Sequence, residues 1–269
     1  MRKKTLVMLS VICAVFLGLL IWAIYENKAL ELNTITVSSA ELPKSFDGFR
    51  IAHISDLHST QIGKNNSKLI AMLQDAQPDV IAITGDLMDR RDTDPSVAIA
   101  LCEAAVKIAP TYYVIGNHEA RLEKLVYQQL LDGLRNVGVI VLEDEERIIQ
   151  RNGEAISITG HKWGDTDAIG DLSAFDGFTV LLSHHPEDFD NYVTGGYELV
   201  LSGHAHGGQF RLPFVGGLYA PGQGVFPKYD SGLYTEGITN MIVSRGIGNS
   251  GFPLRFNNPP EVILVVLKA

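Results

Sequence analysis

Across residues 49–136 the chain alternates short, mostly apolar runs with longer segments of helical spacing. Residues 49–54 (FRIAHI), 79–84 (DVIAIT) and 111–115 (TYYVI) read as buried strands. Each is followed by a segment that repeats every three to four residues. In 65–76, Leu69, Ile70 and Leu73 share a face, with Asn65, Asn66 and Ser67 as candidate caps. Residues 95–108 are Ala-rich, with Pro95 at the start and Pro110 beyond the end; 121–136 is closed by Gly138. A βαβαβα order implies a largely parallel sheet covered by helices, an α/β fold.

Beyond residue 140 the pattern changes. Strand-like runs recur at 147–150, 155–159, 179–182, 199–201, 241–243 and 262–267, and helices become scarce. Between 207 and 258 the chain is rich in Gly and Pro and reads mainly as loops. No repeat and no low-complexity tract appears. Residues 45–269 therefore read as one domain with a sheet from each half, and 26–44 as a linker carrying a first strand.

The N-terminus stands apart. A basic tail, 1–4, precedes an uncharged run over 5–25 that Glu26 ends. About 20 apolar residues span a bilayer as a helix, and Trp22 and Tyr25 sit where aromatic rings favour the interface. A cleaved signal peptide would have a shorter apolar region and a small-x-small cleavage site, which Leu20, Ile21 and Ala23 do not supply. The run reads as an uncleaved anchor of the cell membrane. Arg2, Lys3 and Lys4 precede it, so the positive-inside rule puts the N-terminus in the cytoplasm and the domain outside.

Composition removes other classes. The formal net charge is −9, which disfavours binding to nucleic acid, and a nuclease acting on long polymers with it. A small phosphorylated substrate is not disfavoured, because bound metal ions reverse the local field. The two cysteines, Cys13 and Cys102, form neither a disulfide framework nor a Cys-x-x-Cys site, so any metal is held by nitrogen and oxygen.

Polar residues collect where the strands end, which is where α/β proteins build their sites. Ser55-Asp56-Leu57-His58 follows the first strand. Gly85-Asp86-Leu87-Met88-Asp89-Arg90 follows the second, and Gly116-Asn117-His118-Glu119 the third. Ser183-His184-His185-Pro186 and Ser202-Gly203-His204-Ala205-His206 follow two later ones. Carboxylate, amide and imidazole donors at one sheet edge suit a hard or borderline divalent cation. Singly, each has a plainer reading. Asp56, Asp86 and Asn117 are ordinary turn residues, and His204 and His206 could be exposed in a loop. His53 and His161 read as structural, His185 as support for a ligand, and the acidic run 143–146 as a solvated loop. The aromatics Phe210, Phe214, Tyr219, Phe226, Tyr229 and Tyr234 either pack the long loop or line an apolar entrance; packing is the plainer reading.

Five blocks in this order, D-x-H, GD, GNH-[DE], H and G-H-x-H, resemble the calcineurin-like metallophosphoesterase superfamily from Phe49 to His206. Later blocks resemble a bacterial branch of membrane and cell-envelope phosphoesterases: Gly207-Gly208-Gln209, Lys228-Tyr229, Ser231-Gly232-Leu233-Tyr234 and Ser244-Arg245-Gly246. The resemblance implies a four-layer αββα sandwich and two divalent metal ions, Mn, Zn, Fe or Co. It implies Asp56, His58 and His206 on one ion, Asn117, His184 and His204 on the other, and Asp86 bridging both. A water made acidic between the ions would attack phosphorus. His118 would stand by the phosphate, with Asp89 supporting it and Arg90 contacting substrate. The expected reaction is hydrolysis of a phosphomonoester, phosphodiester or pyrophosphate; the anchor suggests a lipid-linked envelope substrate. A metal-binding receptor without catalysis is the rival reading.

Overall fold

The structure is a computed structural model and describes residues 2–162, 169 and 173–269. Met1 of the basic tail lies outside the described residues. Helix α1 runs from Arg2 to Glu26 without a break. It contains no proline and is apolar on every face, so no stripe marks a side for burial. Its length and hydropathy suffice to cross a membrane. Among the described residues of α1, Ala23 and Glu26 of the last turn are the buried ones.

The first sheet has six strands. In chain order they are β1 (Glu31–Ser38), β2 (Arg50–Ile54), β3 (Val80–Thr84), β4 (Thr111–Val114), β5 (Ile140–Val141) and, from the far end of the chain, β16 (Glu261–Lys268). Strands β2 to β5 lie side by side and parallel. They are joined by α2 (Ser67–Ala76), α3 (Ser96–Ala105) and α4 (Lys124–Asn136), which pack Leu69, Leu73, Leu101 and Leu130 onto one face of the sheet. Asn66 does not cap α2: its side chain accepts the Ile62 N–H instead.

The second sheet also has six strands. These are β6 (Glu145–Arg151), β7 (Glu154–Gly160), β8 (Thr179–Leu182), β9 (Leu199–Ser202), β14 (Gly232–Glu236) and β15 (Thr239–Val243), with helix α5 (Phe189–Gly195) between β8 and β9. Two small hairpins fill the long loop: β10 (Arg211–Leu212) with β11 (Gly216–Gly217), and β12 (Tyr219–Ala220) with β13 (Gly224–Val225). Ile158, Val180, Leu182 and Leu201 of the second sheet meet Ile51, Val80, Val114 and Val265 of the first in a shared core. The outer face of the second sheet is covered by α5 and by loop residues Ala205, Ala220 and Tyr229. The result is the expected αββα sandwich, its last layer mostly loop.

Two expectations change. The halves do not each make their own sheet, because β16 enters the first one between β1 and β2. It is apolar on both sides, Val262 facing the helices and Ile263, Val265 and Leu267 facing the second sheet. A strand of that kind needs an interior position. The acidic run also extends into structure: Glu145 and Glu146 pair with Gly160 and Thr159 along the edge strand β6.

Leu182 lies wholly inside the core between the sheets, whereas Ile148 stands half exposed on β6. Leu182→Ala should cost about 2–5 kcal/mol, and Ile148→Ala no more than about 0.5 kcal/mol, read from urea unfolding in mild detergent. Equal midpoints for the two variants would contradict this packing.

Candidate metal centre

Parallel pairing aligns the C-terminal ends of β2, β3 and β4 on one sheet and of β8 and β9 on the other. The five polar blocks leave those ends together. Their turns are sharp. Asp56, His58, Asp86, His204 and His206 all have φ between 45° and 67°, the left-handed region that side chains disfavour. Such residues cost on the order of 1–3 kcal/mol each and persist only where their surroundings fix them. Here the blocks fix one another. The Asp56 N–H donates to Gly85 O, the His58 N–H to Asp86 O, and the His204 N–H to the Asp56 carboxylate at 3.1 Å. Two motif glycines permit the approach. A Cβ on Gly116 would lie 2.1 Å from Asp86 Oδ1, and one on Gly203 would lie 2.4 Å from Asp56 Oδ2.

The donor atoms stand at the spacing of a coordination shell. Ligands about 2.0–2.2 Å from one cation lie roughly 3–3.5 Å from each other. His58 Nε2 and His206 Nε2 are 3.2 Å apart, and His206 Nε2 is 3.5 Å from Asp56 Oδ1. His184 Nε2 is 3.2 Å from Asn117 Oδ1 and 3.3 Å from Asp86 Oδ2. Asp86 Oδ2 is also 3.6 Å from His58 Nε2, so this carboxylate faces both groups. His184 donates its Nδ1–H to Thr84 O at 2.6 Å, which aims Nε2 into the cluster. His204 packs 5.0 Å from the His184 ring, with Glu187 Oε1 3.7 Å from its Nε2. The residues fit divalent cations, and all seven expected ligands line one centre.

Charge makes the same demand. Asp56 and Asp86 are buried, with no Lys or Arg in a salt bridge to either among the described residues. Burial opposes their ionisation, but His206, His58 and His184 hold both below the usual carboxylate range. In turn, burial works against a charge on His184, and Asp86 and Asp56 overcome it, pushing its pKa up to about 10. His206 and His185 go the other way: burial pushes each down to about 3, so their rings stay neutral. Without a metal, protons on imidazole supply the positive charge that the carboxylates need.

His118 stands at the mouth of this centre. Its Nδ1 accepts the Arg90 N–H at 3.0 Å, so in the neutral ring the proton sits on Nε2. That Nε2 is 4.0 Å from Asp86 Oδ2 and 3.1 Å from Ser250 Oγ. Asp89 approaches Nδ1 to 3.5 Å but spends its hydrogen bonds on Arg91. A cavity of about 360 Å³ opens here. Asp86, Asn117, His118, His204 and His206 line its floor, and Arg90, Arg91 and Arg121 one side.

Three other histidines lie in or near the centre. His53 bonds Thr84 Oγ1 at 2.8 Å, and burial pushes it down to about 4. His161 lies beside Ser183, behind the centre. His185 stacks on His204, with ring centroids 4.4 Å apart. Of the loop aromatics, Tyr229 packs while Phe214, Tyr219 and Phe226 are exposed. Three supporting residues were not assigned from sequence. Glu119 is fully buried and accepts the N–H groups of Asp86, Met88 and Gly116, bracing the β3 and β4 loops. Ser250 meets His118. Arg255, fully buried, bonds Asn249, Arg245 O and Gly248 O behind Asp56. Glu119 is visible in its motif; the other two sit in the loop-rich tail, where no spacing marks them.

Residues 49–208 match the family described as calcineurin-like phosphoesterase. The chain is similar to the uncharacterized metallophosphoesterase YkuE of Bacillus subtilis, 31% identical over 91% of this chain and 87% of that one. It is 28% identical to the phosphodiesterase YaeI of Escherichia coli, over 81% and 82% of the two chains. It is 27% identical to a transmembrane protein with a metallophosphoesterase domain from Danio rerio, over 87% of this chain and 56% of that one.

A metal-ligating imidazole must be neutral, and His184 with a pKa of about 10 is protonated at pH 7. Loading Mn²⁺ or Zn²⁺ at pH 7 should therefore release about one proton per chain or more. Calorimetry in buffers of different ionisation enthalpy measures it. A binding heat independent of buffer would contradict the assignment of His184.

Proposed function

From the premise that this chain belongs to the calcineurin-like phosphoesterase family, a metal-dependent hydrolase of phosphoester bonds, we propose that it works with two divalent cations on a phosphorylated substrate at a membrane. Asp56, His58 and His206 hold one ion, Asn117, His184 and His204 the other, and Asp86 joins them. The observation that carries this reading is Asp86 Oδ2, which stands 3.6 Å from His58 Nε2 and 3.3 Å from His184 Nε2, between the two donor sets. Bound there, two cations offset phosphoryl charge and acidify a water for in-line attack. Donors of imidazole, carboxylate and one amide suit Mn, Zn, Fe or Co, and affinity order alone does not choose among them.

The chain's own groups do the rest. Burial keeps His118 below its ordinary pKa, against the pull of Asp86 and Asp89, so the free ring is neutral and offers Nε2–H to the cavity. An arriving phosphate raises that pKa and lets the ring deliver a proton to the leaving oxygen. Arg90 offers charge to the outer phosphoryl oxygens, and Asp89, by accepting from Arg91, steadies the turn whose Arg90 N–H donates to His118. A phosphodiester is the first substrate class to try, because one relative is called a phosphodiesterase.

Helix α1 supports anchoring by its length and apolarity, as does the transmembrane relative. The basic N-terminal flank supports a cytoplasmic N-terminus and an extracytoplasmic domain in the cell membrane. An anchored site favours a lipid-linked envelope phosphate. If no vesicle-borne lipid phosphate is cleaved faster than a soluble aryl ester, the lipid part of the proposal fails.

Chelator-treated protein should regain hydrolysis of bis-p-nitrophenyl phosphate or p-nitrophenyl phosphate on adding Mn²⁺ or Zn²⁺. Asp86→Ala should abolish it, and His118→Ala should lower kcat about 10²–10⁴-fold. Two bound ions per chain with no turnover of any phosphate ester would favour the receptor reading. For topology, alkaline phosphatase fused at Ala269 should be active in cells; activity confined to a cytoplasm-only reporter would reverse the orientation.

A further inference from the structure

We propose that the hairpins carrying Phe214 and Phe226 form a second contact with the bilayer, which sets the mouth of the metal centre on the lipid headgroup layer. This rests on the membrane-anchor reading above. The first observation is compositional. From Leu212 to Pro227 no residue is charged, in a chain of net charge −9, and the stretch is bracketed by Arg211 and Lys228. Arg211 is paired with Asp230, so Lys228 supplies the cationic flank, and an uncharged apolar stretch beside a lysine suits a lipid interface.

The second observation is exposure. Phe214 is 109% exposed, Val225 68% and Phe226 65%. Single exposed apolar side chains need no explanation, but a contiguous patch does. These lie on two hairpins held together by backbone hydrogen bonds. Tyr219 pairs with Val225 across one hairpin, and the tip of the other holds Phe214 and Val215. The Phe226 N–H donates to Leu218 O and the Leu218 N–H to Phe210 O, which ties the hairpins together. Phe214 and Phe226 both adopt left-handed backbone, at φ 68° and 56°, and neither ring is buried in return. A strained aromatic that gains no packing in the folded domain is a candidate for packing elsewhere.

The third observation selects the bilayer as occupant. The hairpins are joined to the end of the anchor by packed, hydrogen-bonded chain. The Phe210 ring lies 5.4 Å from that of Phe252, and Gln209 Nε2 donates to Phe252 O and Leu254 O. The same segment receives the anchor. Asn249 Nδ2 donates to Asn27 Oδ1 at 2.7 Å, and the Asn257 N–H donates to the Glu26 carboxylate. Trp22 and Tyr25 mark that end of α1 as the interface level. Phe252, half exposed, continues the patch between anchor and hairpins.

The metal centre opens at this junction. Tyr219 and Pro221 of the hairpin and Ser250 and Gly251 of the anchor-holding segment line the same cavity as His118 and Arg90. A phosphate on an amphiphile could therefore enter from the headgroup layer while its tail stays in the bilayer.

The test uses the full chain in phosphatidylcholine vesicles with acyl chains brominated near the headgroup. Trp22 reports the anchor, as the quenching that Trp22→Phe removes. Phe214→Trp and Phe226→Trp should each add blue-shifted emission that these lipids quench. Both variants should hydrolyse a soluble aryl phosphodiester as the parent does, showing an intact site. A new indole left unquenched while Trp22 is quenched would overturn the second contact and leave the anchor standing. If neither is quenched, the anchor reading falls and this proposal with it. New emission that is blue-shifted yet unquenched, with cross-linked dimers, would assign the patch to a second copy of the chain and refute a bilayer contact.

Discussion

Two carboxylates without a basic side chain to pair with set the terms for this structure. Asp56 and Asp86 are buried where the two sheets meet, and their salt-bridge partners among the described residues are histidines. Removing such charges from water costs several kcal/mol per ion unless close, well-oriented partners answer them. Five blocks from two sheets supply that answer, and strained left-handed turns are the means of bringing it within reach. The motif glycines follow from the same need, because a Cβ at Gly116 or Gly203 would strike one of these two carboxylates. Cations at this site, as proposed above, would complete the charge balance and so couple folding to chemistry.

The division of labour between scaffold and loops follows. Parallel strands with apolar faces on both sides are rigid and well covered, with Ile81, Ile83 and Ala82 wholly buried in the middle of the first sheet. Rigidity there lets the turns beyond Ile54 and Thr84 hold unfavourable dihedrals. Glu119 shows the coupling at one residue. It makes no expected metal contact, yet its two oxygens accept from the N–H groups of Asp86, Met88 and Gly116. Losing it would release the two loops that carry Asp86 and His118.

Much of this was legible because it is local. The three strand–helix units declare themselves by period, and the candidate metal-binding residues by spacing at strand ends. What was not legible depends on contacts far apart in sequence. Residues 262–267 read as a strand, but nothing within them names β2 as the partner over two hundred residues earlier. Glu145 and Glu146 look like solvated loop because edge-strand pairing with Gly160 and Thr159 is invisible in a charged segment. Asn66 looks like a helix cap, and its side chain finds the Ile62 N–H instead. Ser250 lies 132 residues from His118, and only the folded chain brings them to 3.1 Å.

Residues 249–257 concentrate these long-range dependencies. One short segment bonds the end of α1 through Asn249 and Asn257, meets His118 through Ser250, and passes into a fully buried Arg255. A buried guanidinium is costly, and burial pushes this one down to about 10, still charged at neutral pH. Its planar fork compensates by donating to Asn249 Oδ1, Arg245 O and Gly248 O at once. Gly248 in turn donates its N–H to Asp56 O. A lysine could not hold three acceptors in that plane, so the identity of the residue matters along with its charge. Through it, the backbone that receives the end of α1 and the backbone that backs the first carboxylate are joined. The orientation of the site relative to α1 is therefore fixed by packing and hydrogen bonds, and does not depend on the length of a linker.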